Sequence, residues 1–368
     1  MATPINFNFL LSSSGIIFLL ALIILFRRLG PKKTETAPGI LLSPNSISAM
    51  AELLVIIPCR NEAFNLPNLL SSFIESKKAG LQILVVDDQS TDETASIAKK
   101  FGADVCVTSN RPEGWSGKNW ACHQGYEYSR KIGLNYKYIL FTDADTIHSN
   151  LGLINAISWL NTQSADLLTA RPYHRNPSFW EQLMGPFYLL ILLITNAKEM
   201  RPKFNRFFSI GQFLLFKKEF YEYCGGHNSV KNKLAEDLAL TQLCFSLNKS
   251  FVVYPEATLY STRMYSTMKD FYLGWQRNFR LGMAQSSYQT WLEILIVVGA
   301  LLTPPTFWSY ALTSIIILLL QKKEGHFHFL GALFFPIGII IFLIISLSAG
   351  LRTFLRKPII WKTREYTQ

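Results

Sequence analysis

Two aspartates separated by one alanine stand at the end of an apolar run and could hold a metal ion. They are Asp143 and Asp145, and the run before them begins at Lys137. Carboxylates this close repel each other unless a cation lies between them. Oxygen ligands suit Mg²⁺ or Mn²⁺, which take one or two carboxylates together with substrate phosphates. We therefore predict that Asp143 and Asp145 bind a divalent metal that holds a diphosphate; the alternative is an ordinary turn.

A second acidic pair, Asp87 and Asp88, follows another apolar run. Its carboxylates could accept hydrogen bonds from the base N–H or the ribose hydroxyls of a nucleoside. The alternative is that the pair caps the next helix. Ser90 and Glu93 already have the spacing of a capping box, which favours the nucleotide interpretation.

Lys118 and the pair Glu236-Asp237 are the next candidates. Lys118 ends a glycine-rich turn, 114–118, at a predicted helix start, where a phosphate could bind; a solvated turn lysine is the alternative. The spacing is not that of a Walker loop. Asp237, beside Glu236, is the best general-base candidate, although acidic residues at a helix start also stabilise the helix dipole.

Gln276 and Arg280 lie just before a long apolar region and could contact a leaving diphosphate. Basic residues there could equally be charges at a membrane interface. His148 and His227 could contact the metal or a phosphate, or could simply be polar surface.

The elements that must position these residues alternate between strands and helices. Apolar runs at 53–58, 82–88, 103–108 and 137–143 predict strands, and 66–77 and 118–130 predict helices between them. This order predicts an α/β fold with a doubly wound, mostly parallel sheet. Ligands of such sheets bind beyond the carboxyl ends of the strands, where the acidic pairs stand.

Composition indicates a folded protein with membrane segments. Of 368 residues, 49% are hydrophobic and only 17% charged, which excludes a disordered chain. Residues 9–26 predict an uncleaved N-terminal transmembrane anchor, and 292–351 a C-terminal transmembrane region of two or three segments, interrupted at Pro304-Pro305. Residues 35–290 would form the cytosolic domain and 352–368 a basic cytosolic tail.

Charge and cysteine usage fit that topology. The net charge of +11 is assigned to basic residues beside the spans, and no nucleic-acid partner is expected. The five cysteines contain no C-x-x-C and predict reduced thiols. We expect a multi-pass protein of the plasma membrane with its catalytic domain in the cytoplasm. The apolar stretch 184–194 is too short to span, so it is either a core helix or part of an acceptor path at the membrane.

The motifs together resemble a family 2 glycosyltransferase of the GT-A type, with a Rossmann-like, mostly parallel sheet. The matching segments are Ile57-Pro58-Cys59-Arg60-Asn61-Glu62, Val86-Asp87-Asp88-Gln89-Ser90-Thr91-Asp92, Asp143-Ala144-Asp145 and Glu236-Asp237. The resemblance implies an inverting enzyme that uses a UDP-sugar and Mg²⁺ or Mn²⁺. Asp145 would bind the metal, with Asp143 nearer the ribose, and Asp237, beside Glu236, would be the base. The donor would be bound by Pro58, Arg60, Glu62, Asp87, Asp88, Lys118, Asp143, Gln276 and Arg280.

Further segments resemble the 4,4'-diaponeurosporenoate glycosyltransferases, membrane enzymes of C30 carotenoid pathways. These segments are 114–122, 171–174, 225–227, 263–265 and 361–366. The resemblance implies transfer of one hexose to a carotenoid acid, and glucose is the first candidate for that hexose. Another membrane lipid (ceramide, diacylglycerol, hopanoid or polyprenyl phosphate) or a non-catalytic nucleotide-binding scaffold stays open.

Two residues depart from the family pattern. Processive members carry the motif Gln-x-x-Arg-Trp. Here Gln276 is followed by Arg277-Asn278-Phe279-Arg280, so the spacing differs and no Trp follows, which favours transfer of a single sugar. Gln89 stands where the family has glycine, and it would be strained if the turn requires a positive φ.

Overall fold

The chain forms two compact units in the computed structural model. The structure describes residues 13–30, 49–149, 151–204, 206–282, 288–361 and 364–366. The sheet unit consists of residues 34–173 and 199–263, and the helical unit of residues 1–33, 174–198 and 264–368. Segments 174–198 and 264–290 of the predicted cytosolic range are therefore part of the helical unit.

The sheet unit is built on a seven-stranded, mostly parallel sheet with the order β3-β2-β1-β4-β8-β6-β9. One internal strand, β8, runs antiparallel to both of its neighbours. The predicted α/β class with a mostly parallel sheet is confirmed. The strands in chain order are β1 (Leu53–Cys59), β2 (Gln82–Asp87), β3 (Asp104–Val107), β4 (Tyr138–Phe141), β5 (Thr146–His148), β6 (Leu167–Thr169), β7 (Tyr173–His174), β8 (Leu214–Lys217), β9 (Phe251–Val253), β10 (Tyr260–Thr262), β11 (Ile359–Trp361) and β12 (Arg364–Tyr366).

The strand register brings the polar segments to one edge of the sheet. Cys59 of β1 pairs with Asp87 of β2, and Asp87 pairs with Val107 of β3. The side chains of β1 are almost all buried, as expected for a parallel strand covered on both faces. The residues that follow each of these strands therefore lie at the same edge.

Helices cover the sheet, and some boundaries differ from the prediction. The predicted helix 66–77 is two helices that meet at Phe73. The helices of the sheet unit are α2 (Leu66–Ser72), α3 (Ile74–Lys78), α4 (Thr94–Lys100), α5 (Gly117–Lys131), α6 (Gly152–Thr162), α9 (Lys218–Tyr223) and α10 (Glu236–Ser246), with a 3₁₀ turn at Gly226–Val230.

The predicted capping box at Ser90 and Glu93 is wrong. Helix α4 begins at Thr94, and the Asp92 carboxylate accepts a hydrogen bond from the Thr94 N–H at 3.0 Å. Ser90 is not available as a cap because its hydroxyl accepts the Asn61 N–H at 2.9 Å. Asp92, one residue before the N-cap Glu93, thus satisfies the first N–H of the helix, and Ser90 links two of the strand-end loops.

The helical unit has its own apolar core. Its helices are α1 (Ser13–Leu29), α7 (Phe179–Gln182), α8 (Gly185–Thr195), α11 (Met268–Gly282), α12 (Tyr288–Leu302), α13 (Phe307–Gln321), α14 (Phe329–Leu333) and α15 (Phe335–Phe354). The Pro304-Pro305 pair separates α12 from α13. The apolar region 292–320 is therefore two helices and not one long helix. Leu189 and Leu193 of α8 are 4% and 0% exposed, so this segment is a core helix.

Among the described residues, one helix, Phe335–Phe354, is long and apolar enough to cross a membrane by length and composition. Helix α1 has 17 residues, and α12 and α13 have 15 each. The N-terminal part of the predicted anchor, 9–12, lies outside the described residues, as do 362–363 and 367–368 of the tail. All five cysteines lie in the described part of the chain, where they are buried and form no disulfide.

Candidate active site

The site forms where three chain segments meet around the amino group of Lys118. Ser116 is the N-cap of α5, and its hydroxyl accepts the Asn119 N–H at 3.3 Å. This cap places Lys118 in the first turn of the helix. The Lys118 Nζ lies 2.7 Å from Asp143 Oδ1 and 2.9 Å from Glu236 Oε1. The lysine is therefore a bridge between two acidic segments and not a solvated turn residue.

The loop before Glu236 is fixed to the start of α5 by Asn119. This buried side chain donates hydrogen bonds to the carbonyl oxygens of Val230 (2.7 Å), Lys231 (3.3 Å) and Lys233 (3.0 Å). Sequence reasoning did not select Asn119, although it stands beside Lys118. Lys118 and Glu236 are far apart in the sequence and share no strand. The contacts of Asn119 explain how they meet.

The antiparallel strand β8 brings Gly211 and Gln212 to the same edge. Leu214 at the start of β8 pairs with Phe141 at the end of β4. Residues just before β8 therefore lie beside Asp143 and Asp145, which follow β4. The Gly211 N–H donates to Asp237 Oδ2 at 3.0 Å, and the Gln212 Nε2 lies 3.3 Å from each oxygen of Asp145. Neither residue was predicted.

The electrostatic environment separates the carboxylates into two classes. Burial, together with the negative charges of Asp143 and Glu62, raises the pKa of Asp145 to about 7. Burial and the neighbouring Glu236 raise the pKa of Asp237 to about 7. For Glu236, burial acts to raise the pKa, but the ion pair with Lys118 outweighs it and lowers the pKa. Asp145 and Asp237 thus titrate near neutral pH, whereas Glu236 stays ionised there.

Lys118 itself remains a cation. Burial acts to lower the pKa of its amino group, but the charges of Asp143 and Glu236 raise it well above the ordinary value. Burial also raises the pKa of Asp143, against the opposing effect of Lys118. The site therefore contains one fixed positive charge among several carboxylates.

The oxygen donors of this edge fit a hydrated divalent cation. Burial and the charges of Asp143 and Glu62 raise the pKa of Asp145, and a cation beside it would favour the ionised form. Beside it, Gln212 has a buried amide oxygen with no hydrogen-bond partner in the described structure. Across the described residues, no group of three or more His, Cys, Asp or Glu side chains is arranged as a complete metal site. The carboxylate oxygens of Asp145 and the amide oxygen of Gln212 suit Mg²⁺ or Mn²⁺, which complete their coordination with water and phosphate.

The predicted nucleotide residues are also ordered at this edge. Asp87 Oδ1 accepts the Ser90 N–H at 2.9 Å, and Asp88 accepts from the Thr108 hydroxyl at 3.2 Å. Arg60 lies 3.4 Å from Asp88, which joins two of the predicted residues. Pro58 is part of β1, opposite Val86 of β2. The charge of Glu62 acts on Asp143 and Asp145, so it belongs to the same cluster.

Gln89 has φ of 56°, so the strain anticipated for this position is confirmed. Asn61 has the same φ, but asparagine tolerates the left-handed region better. Both residues lie in turns that follow strands of the sheet. A non-glycine residue keeps this conformation only where the surrounding structure holds it there.

The two histidines are buried residues rather than polar surface. His148 lies 3.0 Å from the Thr142 hydroxyl, and His227 lies 2.7 Å from the Tyr221 hydroxyl. Burial lowers the pKa of each imidazole to about 3, and for His227 it outweighs the opposing charge of Glu236. Both are therefore neutral near pH 7. The surface alternative is wrong because both side chains are buried, and contact with a metal or phosphate stays a prediction.

Gln276 and Arg280 lie on α11 in the helical unit and have partners there. Gln276 Nε2 donates to the Ser348 hydroxyl at 2.5 Å. Arg280 donates to the carbonyl oxygens of Pro358 at 3.1 Å and of Lys357 at 2.5 Å. Their contribution to donor binding stays a prediction.

Comparison with known proteins identifies the domain. The family model "Glycosyl transferase family 2" matches residues 54–225. The chain is 26% identical over 341 residues to the 4,4'-diaponeurosporenoate glycosyltransferase of Staphylococcus aureus (strain MRSA252), covering 86% of this chain and 88% of that protein. The protein of the same name from Staphylococcus haemolyticus is 26% identical over 337 residues, covering 85% and 88%.

One solved structure supports the fold. It is a mannosyltransferase from Pyrobaculum calidifontis in complex with GDP-Man and Mn²⁺, with a TM-score of 0.53 and 16% identity over 91% of this chain and 96% of that chain. The sheet order agrees with the fold of this solved structure. Residues 54–225 therefore match the model of family 2 glycosyltransferases, the fold is of the GT-A type, and the protein is a glycosyltransferase.

Proposed function

We propose that this enzyme transfers one hexose, glucose in the first instance, from a UDP-sugar to an apolar acceptor, with inversion at the anomeric carbon. The observation that carries the proposal is the position of Lys118, which lies between Asp143 and Glu236. A cation at the first turn of a helix, beside a carboxylate pair, is a natural place for a diphosphate. The preferred acceptor is a carotenoid acid such as 4,4'-diaponeurosporenoate, by analogy with the curated relatives.

We assign the metal to Asp145 and Asp143. Mg²⁺ or Mn²⁺ would neutralise the diphosphate and favour its departure. Asp145 offers both carboxylate oxygens, whereas one oxygen of Asp143 is already paired with Lys118. Lys118 would contact the phosphates by exchanging part of its contact with Asp143 or Glu236. Asp87, Asp88 and Arg60 would hold the nucleoside, with Pro58 and Glu62 shaping the adjoining loop.

Asp237 is the proposed general base. Its raised pKa, about 7, matches the working range of a base that removes a proton from a hydroxyl near neutral pH. The Gly211 N–H holds one carboxylate oxygen and the Leu238 N–H the other, at 3.0 and 2.8 Å, which fixes the carboxylate plane. A carboxylate acceptor is already ionised and would not need this base.

The apolar faces of the helical unit support an acceptor that is drawn from a membrane. Helix α15 exposes Ile340, Ile344, Leu347 and Leu351, each at 47% or more. Helix α1 exposes Ile16, Ile23 and Phe26, between 49% and 73%. Exposed apolar surface of this kind indicates contact with lipid or with another protein. We propose that 9–26 and 292–351 associate with the plasma membrane as a multi-pass region, leaving the catalytic domain and the basic tail in the cytoplasm.

The test is transfer of labelled sugar into lipid. Membranes that contain the enzyme are incubated with Mg²⁺ or Mn²⁺ and a panel of radiolabelled sugar nucleotides, and label is counted in the organic phase. We expect label from UDP-glucose with wild-type enzyme and none with Asp145→Ala. Mass spectrometry of the product then identifies the acceptor.

The variant Asp237→Ala distinguishes the acceptor classes. Loss of transfer would indicate a hydroxyl acceptor, for which ceramide, diacylglycerol and hopanoids are candidates. Retained transfer would indicate an acceptor that is already ionised, such as a carotenoid acid or a polyprenyl phosphate. Binding of sugar nucleotides without transfer to any lipid would contradict the proposal and favour a non-catalytic scaffold.

A further inference from the structure

Gln212 is placed at the metal-binding edge by the direction of β8. It lies two residues before Leu214, which pairs with Phe141 at the end of β4. Its own carbonyl oxygen accepts a hydrogen bond from the Thr142 hydroxyl at 2.8 Å, next to Asp143 in the chain. The side chain is 6% exposed. Backbone pairing and burial therefore leave the amide group little freedom to move.

The amide nitrogen of Gln212 holds the Asp145 carboxylate at both oxygens. The Nε2 lies 3.3 Å from Oδ1 and 3.3 Å from Oδ2. It also lies 3.2 Å from the Thr262 hydroxyl, which in turn donates to the backbone carbonyl of Asp145 at 3.3 Å. Asp145 is thus oriented from its side chain and its backbone by the same pair of residues. A carboxylate has about four lone-pair positions, so this contact leaves room for a metal ion.

The other half of the Gln212 amide has a cost to stability. Its Oε1 is buried and has no hydrogen-bond partner in the described structure. A buried acceptor without a partner costs about 1–3 kcal/mol. An apolar side chain of the same length would avoid that cost. A polar residue that is unfavourable for folding, at a functional site, is the pattern expected of a residue kept for its chemistry.

We propose that Gln212 is a positioning residue of the metal site, whose amide N–H holds the Asp145 carboxylate in the orientation that binds the divalent cation. The inference rests on the proposed function, because it takes Asp145 as a metal ligand. It adds a residue from the segment just before the antiparallel strand β8 to a site that the sequence assigned to the segment after β4 alone. Partners that orient metal ligands typically change metal affinity by about 10–100-fold when they are removed.

The experiment measures Mn²⁺ binding directly, without turnover. The full chain in detergent is titrated with Mn²⁺ in the presence of UDP, and free Mn²⁺ is followed by electron paramagnetic resonance. Gln212→Met keeps the length of the side chain and removes the amide. We expect it to weaken Mn²⁺ binding by about 10–100-fold, with a Tm equal to or above that of wild type. A purely structural role would instead lower Tm and leave Mn²⁺ affinity unchanged.

Gln163→Met is the matched control. Gln163 is also a buried glutamine, 8% exposed, and it accepts hydrogen bonds from Arg201. It precedes β6, whose first residue, Leu167, pairs with Phe216 near the end of β8, so it lies towards the opposite edge of the sheet. We expect wild-type Mn²⁺ affinity for this variant.

Thr262→Val tests the same inference in the same Mn²⁺ titration if Gln212→Met does not fold. It removes the hydroxyl that contacts both the Gln212 amide and the Asp145 backbone, and we expect a smaller loss of Mn²⁺ affinity. Wild-type affinity in the folded variants would overturn the inference about Gln212 while leaving the metal in place. Absence of Mn²⁺ binding to the wild-type protein would instead contradict the proposed metal site and, with it, the inference.

Discussion

Replacement of Lys118 by methionine is the most direct test of the charge arrangement in the site. The side chain keeps its length and apolar stem but loses the charge that lies 2.7 Å from Asp143 and 2.9 Å from Glu236. The two carboxylates are then left beside each other without a cation. We expect loss of stability at neutral pH and loss of donor binding, because the same amino group is proposed to contact the phosphates.

The magnitude follows from burial. Removing one partner of a fully buried ion pair costs about 3–5 kcal/mol. Lys118 and Asp143 are 31% and 32% exposed, whereas Glu236 is 8% exposed, so water screens part of the network. We therefore expect a loss of roughly 2–4 kcal/mol in the free energy of unfolding, which corresponds to a fall of roughly 10 °C in Tm for a domain of this size.

Thermal unfolding of the detergent-solubilised protein, followed by circular dichroism, measures this loss. Lys78→Met is the matched control, because Lys78 forms a pair of the same length, 2.7 Å, with Glu75 and both side chains are 68% exposed. Its Tm should equal that of wild type. Adding Glu236→Gln to Lys118→Met should restore part of the stability, since it removes one of the uncompensated charges. If Lys118→Met unfolds at the wild-type temperature at pH 7, the proposed bridge between Asp143 and Glu236 does not contribute to the fold.

Three further predictions follow from backbone strain, from buried charge and from packing. Gln89→Gly should stabilise the protein by about 0.5–1 kcal/mol in a denaturant titration, because φ at this position is 56°. Asp237→Asn should raise Tm at pH 8 but not at pH 4. Burial raises the pKa of the Asp237 carboxyl to about 7, so the native state loses stability as the pH rises towards that value and the group ionises. The neutral asparagine avoids that loss. Gly211→Ala should reduce transfer at least tenfold, measured as label in lipid, while Tm changes little. A β-carbon there would lie 2.6 Å from both Glu236 Oε1 and Lys118 Nζ, and these side chains can move.

The parallel half of the sheet could be predicted because its strands are continuous apolar runs. The run 53–58 became β1 with nearly all side chains buried, and the runs at 82–88, 103–108 and 137–143 became β2, β3 and β4. The acidic pairs were found because polar residues directly after buried strands lie at the ligand-binding edge. Of these pairs, Asp143 lies 2.7 Å from Lys118, and the part that this lysine takes in donor binding stays a prediction.

Residues that depend on strand direction could not be predicted. Gly211 and Gln212 reach the site because β8 runs antiparallel, and an apolar run in a sequence does not indicate which way its strand points. Asn119 was missed for a related reason: its role is to fix Val230–Lys233, a contact between segments far apart in the chain.

The two histidines show what position along the sequence does not reveal. His148 and His227 stand near motif residues, yet each is buried against aromatic rings and a hydroxyl group. Proximity to a motif in sequence does not indicate whether a side chain faces the ligand or the core. Gln276 and Arg280 are a similar case, because the partners in the structure are Ser348 and backbone carbonyls of the helical unit.

The adjacent carboxylates Glu236 and Asp237 differ in a way that assigns their roles. Glu236 contacts Lys118 and has a lowered pKa, so it stays ionised and cannot accept a proton near neutral pH. Asp237 accepts hydrogen bonds from the backbone N–H groups of Gly211 and Leu238, and burial and the charge of Glu236 raise its pKa to about 7. Neighbouring acids whose environments separate their pKa values in this way take different roles in catalysis. We therefore expect Glu236 to position Lys118 and Asp237 to transfer the proton, so that Glu236→Gln weakens donor binding whereas Asp237→Asn lowers the rate of transfer to a hydroxyl acceptor with donor binding intact.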